Sequence, residues 1–143
     1  MYNCFARTRT AGVVVDPDNF LFQGSGATRG LALPTLIGPE IDRMQLRNPT
    51  PRPLEALMHS PFPCPGAPRS SSDATYYTTG SGAGVCDSGT IDWVRSLTAH
   101  GPTTVITARV VKAVTDILLL TFSRGPAGKV HLARDNLRPL GIS

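Results

Sequence analysis

Lysine is nearly absent from this chain. Of its fourteen basic residues only Lys112 and Lys129 are lysines, against twelve arginines. The arginines are scattered from Arg7 to Arg138, with no basic stripe and no aromatics set between them. A nucleic-acid surface gathers its cations on one face, so no nucleic-acid partner is expected. Long apolar runs are missing too. The run Ile117–Leu120 falls far short of the roughly 20 residues a membrane-spanning helix needs. The opening "MYNCFARTRTAG" lacks the apolar centre of a signal peptide. A soluble, cytoplasmic chain without a membrane partner is the expectation. Cysteine is sparse and unpaired in pattern: Cys4, Cys64 and Cys86, an odd number with no C-x-x-C spacing. That argues against a disulfide framework and a zinc knuckle, and predicts three free thiols in a reducing compartment.

Glycine and proline are plentiful instead, 14 and 13 of 143 residues, well above the usual share of about 12%. Many turns follow. With a hydrophobic share of 41% and a charged share of 17%, the chain is long enough and apolar enough for one packed domain. The Arg-rich, Lys-poor, Ala/Gly/Pro-rich balance reads as the imprint of a GC-rich, actinobacterial-type genome.

Residues 1–15 form an unpatterned N-terminal segment, apart from the β-branched run "GVVVD" at 12–16, which predicts a strand. Asp16-Pro17 and Asp18-Asn19 mark a turn, after which Phe20 and Phe22 alternate as strand residues would. A short strand followed by a loop is predicted within 33–44, stopped by Gly38-Pro39. After the proline-rich connector 47–53, "LEALMHS" (54–60) alternates like a strand. The segment 61–73, with four prolines and three serines, reads as the loosest surface loop. "ATYYTT" (74–79) is the best strand signal. "TIDWVRSL" (90–97) predicts a short helix with Thr90 as its N-cap and Asp92 in the first turn. The region 103–124 predicts a long helix, with Ile106, Val110, Ala113, Val114, Ile117, Leu118 and Phe122 on one face. Arg109, Lys112, Thr115, Asp116, Leu119 and Ser123 fall on the other. The tail 127–143 has no period and is expected to lie across the surface. Several strands with two helices give an α/β or α+β reading, that of part of a layered domain.

Four kinds of chemistry compete for these residues. "GSGAG" (80–84) lacks the spacing and the Lys-Ser/Thr of a phosphate loop, and no helix starts directly after it. It reads as a hairpin turn between "TYYTT" and "VCD". Cys86, in "GVCDSG", is the one candidate catalytic residue. It sits in a partial match to a Gly-x-Cys-x-Gly nucleophile elbow whose second glycine is replaced by Ser88. A thiolate needs a base, and His59, His100 and His131 are the only histidines. For a metal, those histidines and Asp42, Asp73, Asp87 and Asp92 are widely separated and lack helical ligand spacing. Tyr76 and Tyr77 could offer phenolate oxygens, but neighbouring strand residues face opposite ways.

Taken together, "DNFLFQGSGATRG", "LIGPEIDRM", "LEALMHSPF", "ATYYTTGSGAGVCDSGTIDWVRSL" and "FSRGPAGKVHLARDNL" resemble the C-terminal domain of the N,N-dimethylformamidase large (beta) subunit-like family. The resemblance runs from about Asp16 to Leu137 and is most specific at Tyr-Tyr-x-Thr-x-x-Gly-Ala-Gly-Val and Ser-Gly-Thr-x-x-Trp-Val. It implies that 16–143 is the C-terminal portion of an incomplete α/β layered domain, flavodoxin-like and similar to class I glutamine amidotransferases. The family's founding enzyme hydrolyses an N-substituted formamide with iron held by tyrosines and a glutamate. Those ligands belong to earlier parts of a longer subunit, so none is carried over to Glu40, Tyr76 or Tyr77. No cofactor is expected in this chain, and iron is expected only in the full-length family. Two positions depart from the family: Cys86 stands where it has Phe, as in "GAGVF", and Ile91 where it has Met. The first departure makes Cys86 a space-filling residue. The resemblance therefore implies a non-catalytic or degenerate C-terminal fragment whose partner is the missing remainder of the subunit or another subunit. A small cysteine-dependent amide hydrolase and a binding module on the same fold are the alternatives.

Overall fold

The computed structural model describes residues 2–3, 9–46 and 50–142. Cys4, Arg7 and the start of the proline-rich connector lie outside them. The expected mixture of helices and sheets is present. Every described ladder is antiparallel: β1 (Tyr2–Asn3) with β4 (Glu40–Ile41), β2 (Thr10–Val13) with β3 (Ala32–Ile37), and the sheet β5-β6-β7 (Leu54–Pro61, Ser71–Thr78, Gly84–Asp87). No parallel ladder of the flavodoxin kind occurs among the described residues.

The central sheet follows from its sequence. The β-branched and aromatic residues of β6 suit a pleated surface, and Ala74, Thr75 and Tyr76 are all buried. β5 alternates only in part. Leu54, Glu55, Ala56, Leu57 and Met58 are all buried, so both faces of this strand are covered. A register shift between Ala56 and Met58 lets it turn from one layer to the next. Val14 bridges to Met58, and the Val15 and Asp16 N–H groups both donate to the Leu57 carbonyl (3.0 and 3.3 Å). The β2–β3 ribbon is thereby laid against β5. Leu33, Leu36, Val14, Leu21 and Tyr76 close one core with α1 (Val105–Ser123).

α1 begins at its cap, where Thr104 Oγ1 accepts from Thr107 N. Its buried stripe is Thr107, Ala108, Val110, Val111 and Val114, with Ile106, Ile117, Leu118 and Phe122 packed at its edge. The stripe is rotated toward Thr107 and Val111 relative to the expected face, because Thr107 Oγ1 donates to the Pro34 carbonyl (2.9 Å) and pulls that side inward. Leu119 is 64% exposed, as its place on the polar face implies. No described helix is long and apolar enough to cross a membrane.

Four expectations are corrected. Phe20–Phe22 is a 3-10 turn, because Asn19 Oδ1 caps it by accepting from Leu21 N (3.0 Å). The 61–73 segment is not all loop. β5 runs to Pro61 and β6 starts at Ser71, with Ser70, Ser72 and Asp73 buried. The tail 127–143 carries a 3-10 turn at Ala127–Lys129 and inserts Ala133 and Leu137 into the core layers. Cys64 is disulfide-bonded, which corrects the expectation of three free thiols. Cys86 is free. The short helix after Thr90 is present as a seven-residue 3-10 helix, Ile91–Leu97, with Thr90 accepting from Asp92 N.

"GSGAG" does make the hairpin turn between β6 and β7, with Gly82 at φ +89°. Gly89 is the tighter constraint. It lies at φ +72°, and a Cβ there would sit 2.5 Å from the Asp73 carbonyl oxygen. Its own carbonyl accepts from Asp42 N and Ser72 Oγ, both at 2.8 Å. Gly89→Ala combines left-handed strain with a backbone clash. A loss of about 2–3 kcal/mol in urea unfolding is expected, and an unchanged midpoint would refute this reading of the junction.

Candidate functional site: a carboxyl pair in the pocket between β5 and the tail

Glu55 stands on a strand whose neighbours are almost wholly apolar, and it is only 4% exposed. A buried carboxyl must find partners. Its partners come from two segments far away in sequence. Arg134 N donates to Glu55 Oε2 (3.0 Å) from the tail, and Asn19 and Asp16 of the turn after β2 stand beside it around the same pocket. Burial pushes the Glu55 carboxyl above its ordinary range. The hydrogen bonds from Asn19 and Arg134 oppose that, and the adjacent Asp16 charge reinforces it.

Asn136 completes the junction. Its Nδ2 donates to Asp16 Oδ2 (2.8 Å) and to the Ala56 carbonyl (3.0 Å), and its Oδ1 accepts from Ala56 N (2.8 Å). One tail side chain therefore binds β5 as a further strand would. The pocket left between turn, strand and tail has a volume of about 570 Å³ and is lined by both carboxyl residues, Phe20, His131, Leu132 and Arg134 among others. The His131 ring stacks on Phe20 with centroids 4.0 Å apart. Tyr76 meets Phe20 edge-on at 5.4 Å and donates its hydroxyl to the His131 carbonyl (2.7 Å). Such a constellation can offer a buried carboxyl and an aromatic wall to a small polar molecule.

The residues singled out from the sequence fall elsewhere or apart. Cys86 pairs with Tyr76 across the β6–β7 ladder. The residue is half-buried, but its sulfur is shielded. Burial, reinforced by the Asp87 charge, pushes its thiol up to about 12. Among the described residues no hydrogen bond joins Cys86 to a histidine. His100 is exposed, and His131 lines the pocket. Asp42, Asp73 and Asp87 do come together, around a smaller pocket of about 310 Å³ that Tyr77 also lines. Asp87 is raised by burial, with the Asp42 charge and hydrogen bond adding to it, although Gly89 N donates to Asp87 Oδ1 (2.9 Å). Asp92 is buried against Arg9 Nε (2.9 Å), not aligned as a hydrogen bond at Oδ2. Among the described residues no group of three His, Cys, Asp or Glu is placed to hold a metal ion.

Iron held by tyrosines and a glutamate does not fit the residues described. Tyr76 and Tyr77 serve different faces of β6, one in the core and one at the smaller pocket. Burial first, then the Glu55 charge, pushes the Tyr76 hydroxyl up to about 12, against the phenolate a metal would take. The pocket's own residues went unread in sequence. Asp16 was a turn former and Glu55 a polar position in an alternating strand. The available signal was a glutamate inside "LEALM", where every neighbour seeks the core.

A family model described as N,N-dimethylformamidase beta subunit-like, C-terminal, matches residues 1–104. No curated protein and no solved structure matches the chain.

The second polar centre on this sheet yields a pH test. His59 Nδ1 hydrogen-bonds Asp73 Oδ1 (2.7 Å), while Ser71 Oγ (2.8 Å) and Met44 N (2.9 Å) hold Asp73 Oδ2. The bond to Asp73 raises His59 above its ordinary value of 6.5, against the opposing effect of burial. A raised histidine stabilises the fold fully below the unfolded value and loses that contribution as pH rises through the folded value. Stability should therefore decline from about pH 6.5 upward in the wild type. In His59→Gln that decline should disappear, as measured by urea unfolding across the range. The same slope in both proteins would rule the pair out.

Proposed function

The chain belongs to the N,N-dimethylformamidase beta subunit-like, C-terminal family, and we propose that it works as the C-terminal portion of a longer amidohydrolase-like subunit rather than as an enzyme by itself. In this reading the catalytic iron sits in an upstream part or in another subunit. The chain's antiparallel ribbons then continue a cytoplasmic, flavodoxin-like layered domain similar to class I glutamine amidotransferases. The observation that carries the reading is the match, over residues 1–104, to a family defined as a C-terminal part. Two features support it. The donor sets described do not suit iron, and Leu119, Leu120, Val130 and Leu132 are more than half exposed, apolar surface suited to a neighbouring part of the subunit.

The thiol of Cys86 supports a space-filling role in place of the family's phenylalanine. A group raised to about 12 supplies almost no thiolate at neutral pH, and a thiol nucleophile needs the thiolate. The isolated chain should release no formate from N,N-dimethylformamide above background, with or without added ferrous iron. The Cys86→Ser variant should behave identically. Formate release by the chain alone would overturn the reading, and its loss in Cys86→Ser would assign the reaction to the cysteine.

A further inference from the structure

The "GSGAG" turn takes no part in the pocket beside β5, yet it is packed tightly against another segment. Gly128 of the 3-10 turn Ala127–Lys129 lies directly on it. A Cβ on Gly128 would stand 2.8 and 2.9 Å from the Gly82 and Ala83 carbonyl oxygens. The Lys129 stem runs across Gly82, where a Cβ would stand 2.6 Å from Lys129 Cγ. Both sides of the contact are fixed. Thr79 N donates to the Ala83 carbonyl and Gly82 N to the Thr79 carbonyl, both at 2.9 Å. Ala127 and Gly128 are buried, and Val130 N and His131 N donate back to the Ala127 carbonyl (3.1 and 2.9 Å). Lys129 is thus seated by its stem and does not sweep freely through solvent.

That seat puts Lys129 in the lining of a second pocket, of about 420 Å³, between the end of α1 and the 3-10 turn. Thr121, Arg124, Pro126, Val130 and His131 line it too, and none of the chain's ten acidic residues does. Among the described residues neither Arg124 nor Lys129 forms an ion pair. The opposing negative feature is the C-terminus of α1, worth about half a charge. Its last carbonyls are already engaged: those of Leu120, Thr121 and Phe122 accept from Ser123 Oγ, Arg124 N and Gly125 N. Two full positive charges outweigh it, so the pocket keeps positive charge that nothing in its lining neutralises. We propose that this pocket binds a small organic carboxylate: the Arg124 guanidinium and the Lys129 ammonium take its oxygens, and Pro126 and Val130 cover its apolar body. A guanidinium fork matches a planar carboxylate. The apolar wall favours an anion that has apolar surface to bury over a bare inorganic one.

The test is titration of the whole chain with sodium benzoate, followed by ¹H–¹⁵N shifts, with benzamide and inorganic phosphate as comparison probes. Benzoate should move the signals of 121–131. Benzamide, nearly the same shape without the charge, should bind at least about tenfold more weakly. Arg124→Gln and Lys129→Gln should each weaken benzoate binding at least about tenfold, the loss of one charged hydrogen bond. Both side chains are exposed, so the fold should be kept. Gly82→Ala, which displaces the Lys129 stem, should weaken binding as well, and Gly80→Ala, with open space at its Cβ, should not. Equal binding of benzoate and benzamide overturns the proposal, as does an affinity unchanged in either charge variant. Absence of a benzoate-dependent shift at 121–131 overturns it too. Phosphate binding tighter than benzoate would overturn the organic carboxylate as the ligand, and unchanged affinity in Gly82→Ala would overturn the seating of Lys129 by the turn.

Discussion

Burying Glu55 near the start of β5 is the constraint on which the rest of this structure depends. A carboxyl that is almost wholly out of water costs several kcal/mol unless its oxygens are engaged. The strand cannot supply those partners, because its own N–H and C=O groups are committed to the ladder with β6 or to the chain laid beside it. They have to arrive from the turn at 16–19 and from the tail at 134–136. Once they do, the tail has one path across β5. Asn136 completes the strand's hydrogen bonding at Ala56, and the Phe20–His131 stack becomes the far wall of a pocket. A polar residue in a core strand thus ties together three segments separated by up to 120 positions.

The same sheet carries a second polar centre around Asp73 that follows different physics. Asp73 is paired with an ionisable base, His59, and holds Ser71 and Met44 N as well. Glu55 has no such base beside it, and burial favours its retained proton. Both centres lie on the β5–β6 ladder, and the antiparallel register sets them apart: Glu55 faces Tyr76, while His59 faces Asp73.

The parts of the fold legible in sequence were those written in local pattern. "ATYYTT", the "GSGAG" turn, the Thr90 cap and the 103–124 periodicity each carry their own signal, and each element is found within a few residues of its expected bounds. Phe20–Phe22 was misread as strand because alternation over three residues says less than an asparagine cap does. Ser71–Asp73 read as loop because serine and aspartate are turn formers, and here a partner strand and buried hydrogen bonds outweigh that preference. The candidate site was hidden for a further reason. Asp16, Glu55 and Asn136 are remote in sequence and share no spacing, so only the folded chain shows them as one junction. The stretch with the most distinctive sequence, around Cys86, lies within the family match and holds a thiol that burial pushes up to about 12.

Equilibrium unfolding of an Asn136→Ala chain tests most directly whether the tail is anchored to β5 through this junction. Three hydrogen bonds, two of them to strand backbone, are removed together. The expected loss is about 2–3 kcal/mol at about 1 kcal/mol net for each bond. A change within about 0.5 kcal/mol, as for an ordinary surface substitution, would contradict the account.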